Sequence, residues 1–224
     1  MDVEEALRAR ISIRDFLDTP VDQPTVRSIL DAARWSPSGG NLQPWKVIAV
    51  AGAARDRCVE VAGTRLMTNP KPDEDAEYPV YPPKLWEPYR GRRFKVGEDM
   101  YALLGIPRED KAARLQWLAR NFTFFGAPVG LFFVIERGMG HGQWAHLGMF
   151  MQSIALTAVA RGLGTCMPES WGMLRNTFHA HFGLAEDEVL YCGMALGHPN
   201  PDAPVNTLRS DREEVEAFTR FDGF

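Results

Sequence analysis

The sequence has little cysteine and none of the short motifs that mark the common nucleotide and metal sites. Its three cysteines, Cys58, Cys166 and Cys192, are widely spaced and form no C-x-x-C pair. This argues against a disulfide framework or a thiolate zinc site and favours buried structural thiols. Neither a G-x-G-x-x-G fingerprint nor a P-loop is present, so a doubly wound dinucleotide fold is rejected. No histidine pair has the spacing of a helical metal site, and we expect no metal.

The sequence also lacks an excess of positive charge and a long apolar run. Its formal charge is -4 and its pI is about 5.8, which gives no reason to expect nucleic acid or a membrane as partner. The N-terminal MDVEEALRAR has acids where a secretory signal has bases, so a cytoplasmic protein is expected. The most apolar stretch, 147–160, is shorter than a bilayer requires and contains Gln152, Ser153 and Thr157. It predicts a buried helix.

At 224 residues with 45% hydrophobic side chains, the chain predicts a single domain over 1–224. Periodicity predicts helices over about 2–9, from Asp22 to the loop at 34–45, over 108–124 with Leu115 and Leu118 on its core stripe, over 142–161, and around Leu174. The 142–161 helix is apolar nearly all round, so it must be a central helix or a subunit interface. Ser210 and Glu213 predict a capping box before a last helix. Buried strands are predicted at KVIAV, GLFFVI and VLYCGMAL.

The loop between the second helix and the first strand, RWSPSGGNLQPW at 34–45, combines two prolines, two glycines and short polar side chains between tryptophans. Prolines fix the backbone and glycines admit positive φ, so this stretch is a shaped loop. We interpret it as a rigid wall of a site, because a plain surface turn rarely needs two indoles.

Residues 63–105 show poor periodicity. The DEDAE run at 73–77 is predicted to be a solvated surface, whereas the proline- and aromatic-rich part that follows is either a packed excursion or a cap over the site. Both alternatives stay open at this point. We assign an insertion to about 64–107.

Arginines gather near short hydroxyl side chains at both ends of the chain. Arg10 and Arg14 flank Ser12, and Arg209 and Arg212 flank Ser210. Guanidinium and hydroxyl donors of this kind suit a phosphate group. Together with the shaped loop they predict a mononucleotide cofactor that is held by side chains.

Four blocks, RISIRDF, WSPSGGNLQPW, RGLGTCMPESW and GHPNPDAPVNTLRSDREEV, stand in the order that is typical of one family. Through them the chain closely resembles the FMN-dependent nitroreductase family, and its middle insertion is similar to the branch that includes nitrobenzoate reductases. The resemblance implies an α+β fold with a mostly antiparallel central sheet and helices on both faces. It also implies an intertwined homodimer with two FMN sites at the interface.

The resemblance further implies how FMN is bound. Residues that match Arg10, Ser12 and Arg14 bind the FMN phosphate, the ribityl chain and the pyrimidine edge, and Arg209 matches a basic phosphate ligand. The other subunit approaches the flavin through the residues that match Pro37, Ser38, Gly39 and Asn41. Pro168 and Glu169 match the segment beside flavin N5, where the family often has Pro-x-Glu-Gly; this chain has Met167, Pro168, Glu169 and Ser170 instead.

The implied reaction has two steps, with Arg14 and Glu169 as catalytic residues. NADH or NADPH delivers hydride to flavin N5 and leaves, and a nitroaromatic or quinone then takes the electrons while Arg14 stabilises the reduced flavin. The mix of aromatic and basic side chains predicts substrate contacts from Phe124, Trp86, Tyr89, Arg90 and Arg93. The alternatives are other FMN chemistry on the same fold, namely dehalogenation, enone reduction or flavin breakdown, and a non-catalytic flavin-binding protein.

Overall fold

A four-stranded antiparallel sheet lies at the centre of the computed structural model, which describes residues 1–73 and 78–224. The strands are β1 (Lys46–Ala51), β2 (Val129–Glu136), β3 (Gly164–Cys166) and β4 (Glu188–Gly197), in the order β1-β2-β4-β3. The register pairs Val50 with Gly130 and Val129 with Leu196. The three predicted apolar runs are thus confirmed as strands, and the short β3 was not predicted.

Eight α-helices surround this sheet within the described ranges. They are α1 (Val3–Ala9), α2 (Gln23–Ala33), α3 (Gly52–Thr68), α4 (Tyr89–Leu103), α5 (Lys111–Ala119), α6 (Gly140–Ala160), α7 (Arg175–Phe182) and α8 (Val215–Phe218). Short 3-10 turns occupy Gly39–Asn41, Arg120–Gly126, Glu169–Leu174 and Pro204–Thr207.

Alternate residues of β2 build two hydrophobic cores, one on each face of the sheet. Leu131, Phe133 and Ile135 pack with side chains of α2 and α6. Phe132 and Val134 point to the other face, where they pack with side chains of α3 and α7. Because successive side chains of a strand alternate between faces, a continuous apolar run is what a strand buried on both sides requires. The predicted α+β fold with helices on both faces of an antiparallel sheet is confirmed.

Several predicted helix boundaries hold. α1 begins with the capping box that Asp2 and Glu5 form, and α2 begins at the Asp22 cap, whose side chain accepts from the Thr25 amide at 2.9 Å. Gly162, with φ of +74°, follows the end of α6. The three cysteines are free and buried, as expected.

Other predictions are wrong for physical reasons. α3 and α4 were missed because each buries so little apolar surface: α3 buries Cys58 and Ala62, and α4 buries Tyr101 alone. Within the predicted insertion at 64–107, the end of α3 and the whole of α4 are helical, whereas 69–73 and 78–88 lie outside the helices. The predicted 108–124 helix is shorter, and Leu115 on α5 is 68% exposed, so no core stripe runs along it.

The Ser210 and Glu213 capping box is also wrong. α8 begins at Val215, its N-cap residue is Glu214, and no side chain bonds to its first turn. The hydroxyl of Ser210 instead accepts from Arg212 at 2.8 Å. A helix of four residues has too little hydrogen bonding to be specified by a local signal.

The acidic run at 73–77 falls mostly outside the described residues, which omit 74–77. Asp73, at its start, is not solvated: its side chain is only 10% exposed, lies 2.7 Å from the Arg65 guanidinium and accepts from the Thr177 amide at 3.0 Å. The side chain of Asp73 therefore links the C-terminal end of α3 to α7.

A single chain covers α6 on one face only. Leu147, Phe150 and Ile154 are buried against the sheet, whereas Met149 is 44% exposed. The helix was predicted to be either a central helix or part of a subunit interface. A central helix that one chain covers on every side is wrong, because Met149 is exposed. No helix in the described part of the chain has the length and apolar character needed to cross a bilayer.

Gly130 provides a test of the packing on β2. A Cβ atom at this position would lie under 3.0 Å from three ring atoms of Phe124, which is fully buried. Gly130→Ala should therefore lower the free energy of unfolding by about 1–3 kcal/mol, as overpacked cores do. Urea unfolding followed by circular dichroism measures it.

The matched control is Gly63→Ala in α3, where a Cβ would meet no atom within 4 Å. Alanine is the better helix former, so this variant should be as stable as the wild type or more stable, by up to about 1 kcal/mol. Equal stability of the two alanine variants would contradict the packing argument.

Candidate active site

A cavity of about 950 Å³ opens between α4, the end of β3 and β4. It brings together residues from distant parts of the sequence. Its walls include Ser12, Arg14, Arg90, Arg93, Tyr101, Trp117, Phe125, Met151, Cys166, Pro168, Glu169 and Tyr191. Six residues that sequence reasoning assigned to cofactor or substrate are among them, so guanidinium groups, carboxyl groups and aromatic rings share one space.

The side chains of residues 12–14 alternate between the cavity wall and the core. Ser12 forms a parallel bridge with Thr165, and the Ile13 amide donates to the Thr165 carbonyl at 2.9 Å. Ile13 is buried in the core between its two polar neighbours. This extended segment continues the sheet edge beyond β3, and it places Ser12 and Arg14 on the cavity wall.

The side chain of Asn206 fixes the backbone at Arg14. Its Oδ1 accepts from the Arg14 amide at 2.8 Å, and its Nδ2 donates to the carbonyls of Asp15 at 2.7 Å and Asn200 at 2.9 Å. Asn200 in turn donates to the Asp15 carboxylate at 2.9 Å. One amide group thus joins three backbone groups, and it holds Arg14 against the chain that follows β4.

Positive charge is concentrated beyond the C-terminal end of α1. The Nε of Arg10 is buried without a hydrogen-bond partner. Burial, with a smaller contribution from the neighbouring Arg212, holds the pKa of Arg10 below its usual value. Two guanidinium groups that raise each other's energy in this way favour an anion between them.

Arg209 lies near the same end of α1. One of its Nη1 hydrogen bonds goes to the Arg8 carbonyl at 2.9 Å. Neither Arg10 nor Arg209 lines the large cavity. Arg209 lines a second, more open pocket of about 440 Å³ with Asp99, Ala102 and Leu103 of α4.

Glu169 is a carboxyl group on the cavity wall, and no arginine is among the groups that shift its pKa. Burial raises its pKa, and a hydrogen bond from Tyr191 partly opposes that effect. Burial also raises the pKa of Tyr191 to about 12. The other acid on the wall, Glu98, is ion-paired with Arg114 at 2.6 Å, and this holds the pKa of Glu98 below its usual value.

Tyr191 is itself supported from the segment at 78–88. The hydroxyl of Tyr78 donates to the Tyr191 carbonyl, and the two rings lie 5.4 Å apart. Trp144 of α6 packs edge-on against both tyrosine rings. The predicted insertion therefore packs on the sheet and orders one wall of the cavity.

The loop at 34–45 is anchored on α6 and does not line this cavity. Ser36 donates to Ser153 at 2.7 Å, and Trp45 stacks on Phe150 with ring centroids 4.7 Å apart. The predicted contact residues Pro37, Ser38, Gly39 and Asn41 lie between these anchors, with Asn41 at φ of +56°. Trp35 is 80% exposed. Within one chain the loop is rigid, and its outer surface has no partner among the described residues.

Three of the five predicted substrate contacts do not line the cavity. Phe124 is fully buried and stacks on Trp171 at 4.6 Å. Trp86 and Tyr89 pack edge-on against each other at 5.4 Å in exposed positions. The 3-10 turn around Phe124 and Phe125 gives both residues positive φ, and Phe125 rather than Phe124 reaches the cavity wall.

Sequence reasoning missed Asn206, Tyr191 and Phe125. Asn206 stands inside the last of the four blocks, GHPNPDAPVNTLRSDREEV, but its partners lie about 190 residues earlier. Tyr191 looked like an ordinary strand residue. The described residues contain no group of three or more side chains that could hold a metal ion.

Comparison with known proteins shows the family of this chain. The model of the nitroreductase family matches residues 7–198. The chain belongs to the nitroreductase family. This confirms the resemblance carried by the four blocks.

Individual members of the nitroreductase family match over the whole chain. A nitrobenzene nitroreductase of Ectopseudomonas oleovorans is 36% identical, with 98% of this chain and 96% of the relative covered. A 4-nitrobenzoate reductase of Pseudomonas putida is 35% identical over 100% of this chain and 96% of its own. The crystal structure of an FMN and NADPH-dependent nitroreductase from sphigopyxis sp. strain HMH superposes with a TM-score of 0.95 at 40% identity, covering 100% of both chains.

Asn206 gives a test of how the site is positioned. Asn206→Ala removes three hydrogen bonds to the backbone, each worth about 0.5–1.5 kcal/mol. We expect the free energy of unfolding to fall by about 1.5–4.5 kcal/mol and the segment around Arg14 to lose protection in hydrogen exchange.

Thr207→Ala is the matched control on the same 3-10 turn. Its hydroxyl makes one exposed bond to the Pro204 carbonyl, so its loss should cost less than about 1 kcal/mol and leave the Arg14 segment protected. Unchanged exchange at Arg14 in Asn206→Ala would show that Asn206 does not position the site.

Proposed function

We propose that this protein is an FMN-dependent oxidoreductase that uses NADPH or NADH to reduce nitroaromatic compounds. The observation that carries the proposal is the arrangement of one extended segment. Arg10 lies beside a second positive charge, that of Arg212, while Ser12 and Arg14 lie on the wall of a cavity that has aromatic side chains. The FMN, NADPH and nitroarene functions in the names of the full-length relatives support it.

The residues present fit FMN. Its phosphate would neutralise Arg10 and Arg212 and give the buried Nε of Arg10 the acceptor that it lacks. Arg209 would add a third guanidinium to the phosphate, and Ser12 would contact the ribityl chain. Arg14, Pro168 and Glu169 would then border the flavin ring from within the cavity. When bound, FMN supplies hydride acceptance from the nicotinamide and electron delivery to the acceptor.

The chain's own residues provide orientation, charge and a proton. Arg14 would place a permanent positive charge beside the flavin edge, where negative charge develops on reduction. Reduction of a nitro group to a nitroso group consumes two electrons and two protons and releases water. A hydride brings both electrons and one proton, so one further proton is required at a nitro oxygen. Glu169, whose pKa is raised by burial, is suited to hold it.

The apolar surfaces that one chain leaves uncovered support a homodimer. Trp35 and Leu42 of the 34–45 loop, Met149 of α6 and Phe218 near the C-terminus are all exposed. A second copy would bury them and would bring the rigid 34–45 loop to a neighbouring flavin, which is the role we propose for Pro37, Ser38, Gly39 and Asn41. Sedimentation velocity tests the dimer: a monomeric FMN-loaded species would contradict it.

The two half-reactions, reduction and reoxidation of the flavin, are tested separately under anaerobic conditions. NADPH or NADH should bleach the yellow purified enzyme, and one equivalent of a nitroarene added after removal of the nicotinamide should restore the flavin absorbance. A quinone added in a parallel sample compares acceptor classes. A bound flavin that stays oxidised in excess NADPH and NADH would exclude the reductase and leave a flavin-binding protein.

Arg14→Gln refines the same experiment. It keeps a polar amide at this position but shortens the side chain and removes its charge, so the first half-reaction should slow by about tenfold or more. Arg8→Gln is the control, because the Arg8 side chain is exposed, pairs with Glu4 at 2.8 Å and does not line the cavity.

A further inference from the structure

Arg93 differs from the other basic residues of α4. It lies at the exposed edge of the cavity, and its guanidinium stacks over the Tyr81 ring at 4.2 Å from the ring centroid. Stacking occupies the face of the guanidinium and leaves its N–H edge available for an anion. Stacking therefore holds the group, and no hydrogen bond from its N–H edge is found within residues 1–73 and 78–224.

The neighbouring cations on α4 are already neutralised. Arg90 pairs with Glu87 at 2.7 Å, Arg92 with Glu213 at 2.8 Å, and Lys95 with Asp99 at 2.7 Å. Across residues 1–73 and 78–224, no carboxylate lies within ion-pairing distance of Arg93. Among the described residues, Arg93 is thus the guanidinium of α4 that has no carboxylate to neutralise it.

The acids that share the cavity do not compete for Arg93. Glu98 is held by both terminal nitrogens of Arg114, at 2.6 and 3.1 Å. Glu169 is hydrogen-bonded to Tyr191, and burial raises the pKa of Glu169. The walls of the same cavity also include the aromatic side chains of Tyr101, Trp117 and Phe125, so a flat ring has apolar surfaces to contact.

We propose that Arg93 binds a carboxylate carried by the aromatic ring of the substrate, so that the preferred acceptors are nitroarenecarboxylates rather than neutral nitroarenes. A bidentate guanidinium–carboxylate pair at the mouth directs the opposite end of the ring toward Arg14 and Glu169. A para-substituted ring places the nitro group at that end. This inference rests on the proposed function and assigns a substrate class to the same site.

Binding of molecules that cannot be reduced tests the inference without turnover. Benzoate and benzamide have the same shape and differ in charge, and each can be titrated into the oxidised, FMN-loaded enzyme while flavin absorbance is followed. The wild type should bind benzoate at least about tenfold more tightly than benzamide, the value of one charge-assisted contact. Arg93→Gln should abolish that preference, and Arg93→Lys should retain part of it.

Arg92→Gln is the matched control, because Arg92 stands next to Arg93 but pairs with Glu213 and does not line the cavity. It should keep the benzoate preference. In turnover, Arg93→Gln should raise the KM for 4-nitrobenzoate about tenfold and leave that for 4-nitrobenzamide unchanged.

Equal affinity of the wild type for benzoate and benzamide would overturn the inference, as would a preference that survives in Arg93→Gln. Normal reduction of 4-nitrobenzamide in either case would leave the proposed function intact. Failure of both nitroarenes to reoxidise the flavin would instead overturn the proposed function.

Discussion

The site depends on positive charge that the chain partly buries without an anion of its own. Arg10 has a buried Nε with no acceptor, and Arg212 lies close enough to lower its pKa further. A buried ionised group without a partner is costly. The described chain provides no carboxylate for it, so the proposed account is that a phosphate supplies the missing charge. Folding stability and cofactor binding then draw on the same interaction.

The fold places further residues of the same segment, Ser12 and Arg14, at the cavity. Ser12 bridges to Thr165 beside β3, and this continues the sheet by one extended segment. Asn206 fixes the next residues of that segment, so Arg14 faces the cavity from a backbone that is bonded on both sides. The opposite wall is built by α4, which packs little apolar surface and therefore presents its arginines to the cavity. In the proposed account, the wall with Ser12 and Arg14 positions the flavin, and the polar wall of α4 selects the substrate.

Local and periodic features of this protein were predictable from the sequence, and long-range ones were not. The alternation of residues 12–14, the run at 129–136 and the capping box at Asp2 each express a rule that acts over a few residues. By contrast, α4 has one buried residue and gives no periodic signal. The partners of Asn206 are far away in the chain, and the choice of Phe125 over Phe124 on the cavity wall depends on two successive residues with positive φ.

The predicted roles of single residues divide in the same way. Ser12, Arg14, Pro168 and Glu169, which belong to the family blocks, share one cavity with Arg90 and Arg93, which were predicted from the mix of aromatic and basic side chains in the insertion. The 34–45 loop is rigid but lies elsewhere in the chain, which is the arrangement expected if its site belongs to a second subunit. The most direct measurement of the central claim compares FMN with riboflavin, which lacks the phosphate, for binding to the apoprotein by fluorescence titration. The account predicts that FMN binds at least about a hundredfold more tightly in the wild type and that Arg10→Ala removes most of this difference. Equal affinities of FMN and riboflavin for the wild type would contradict it.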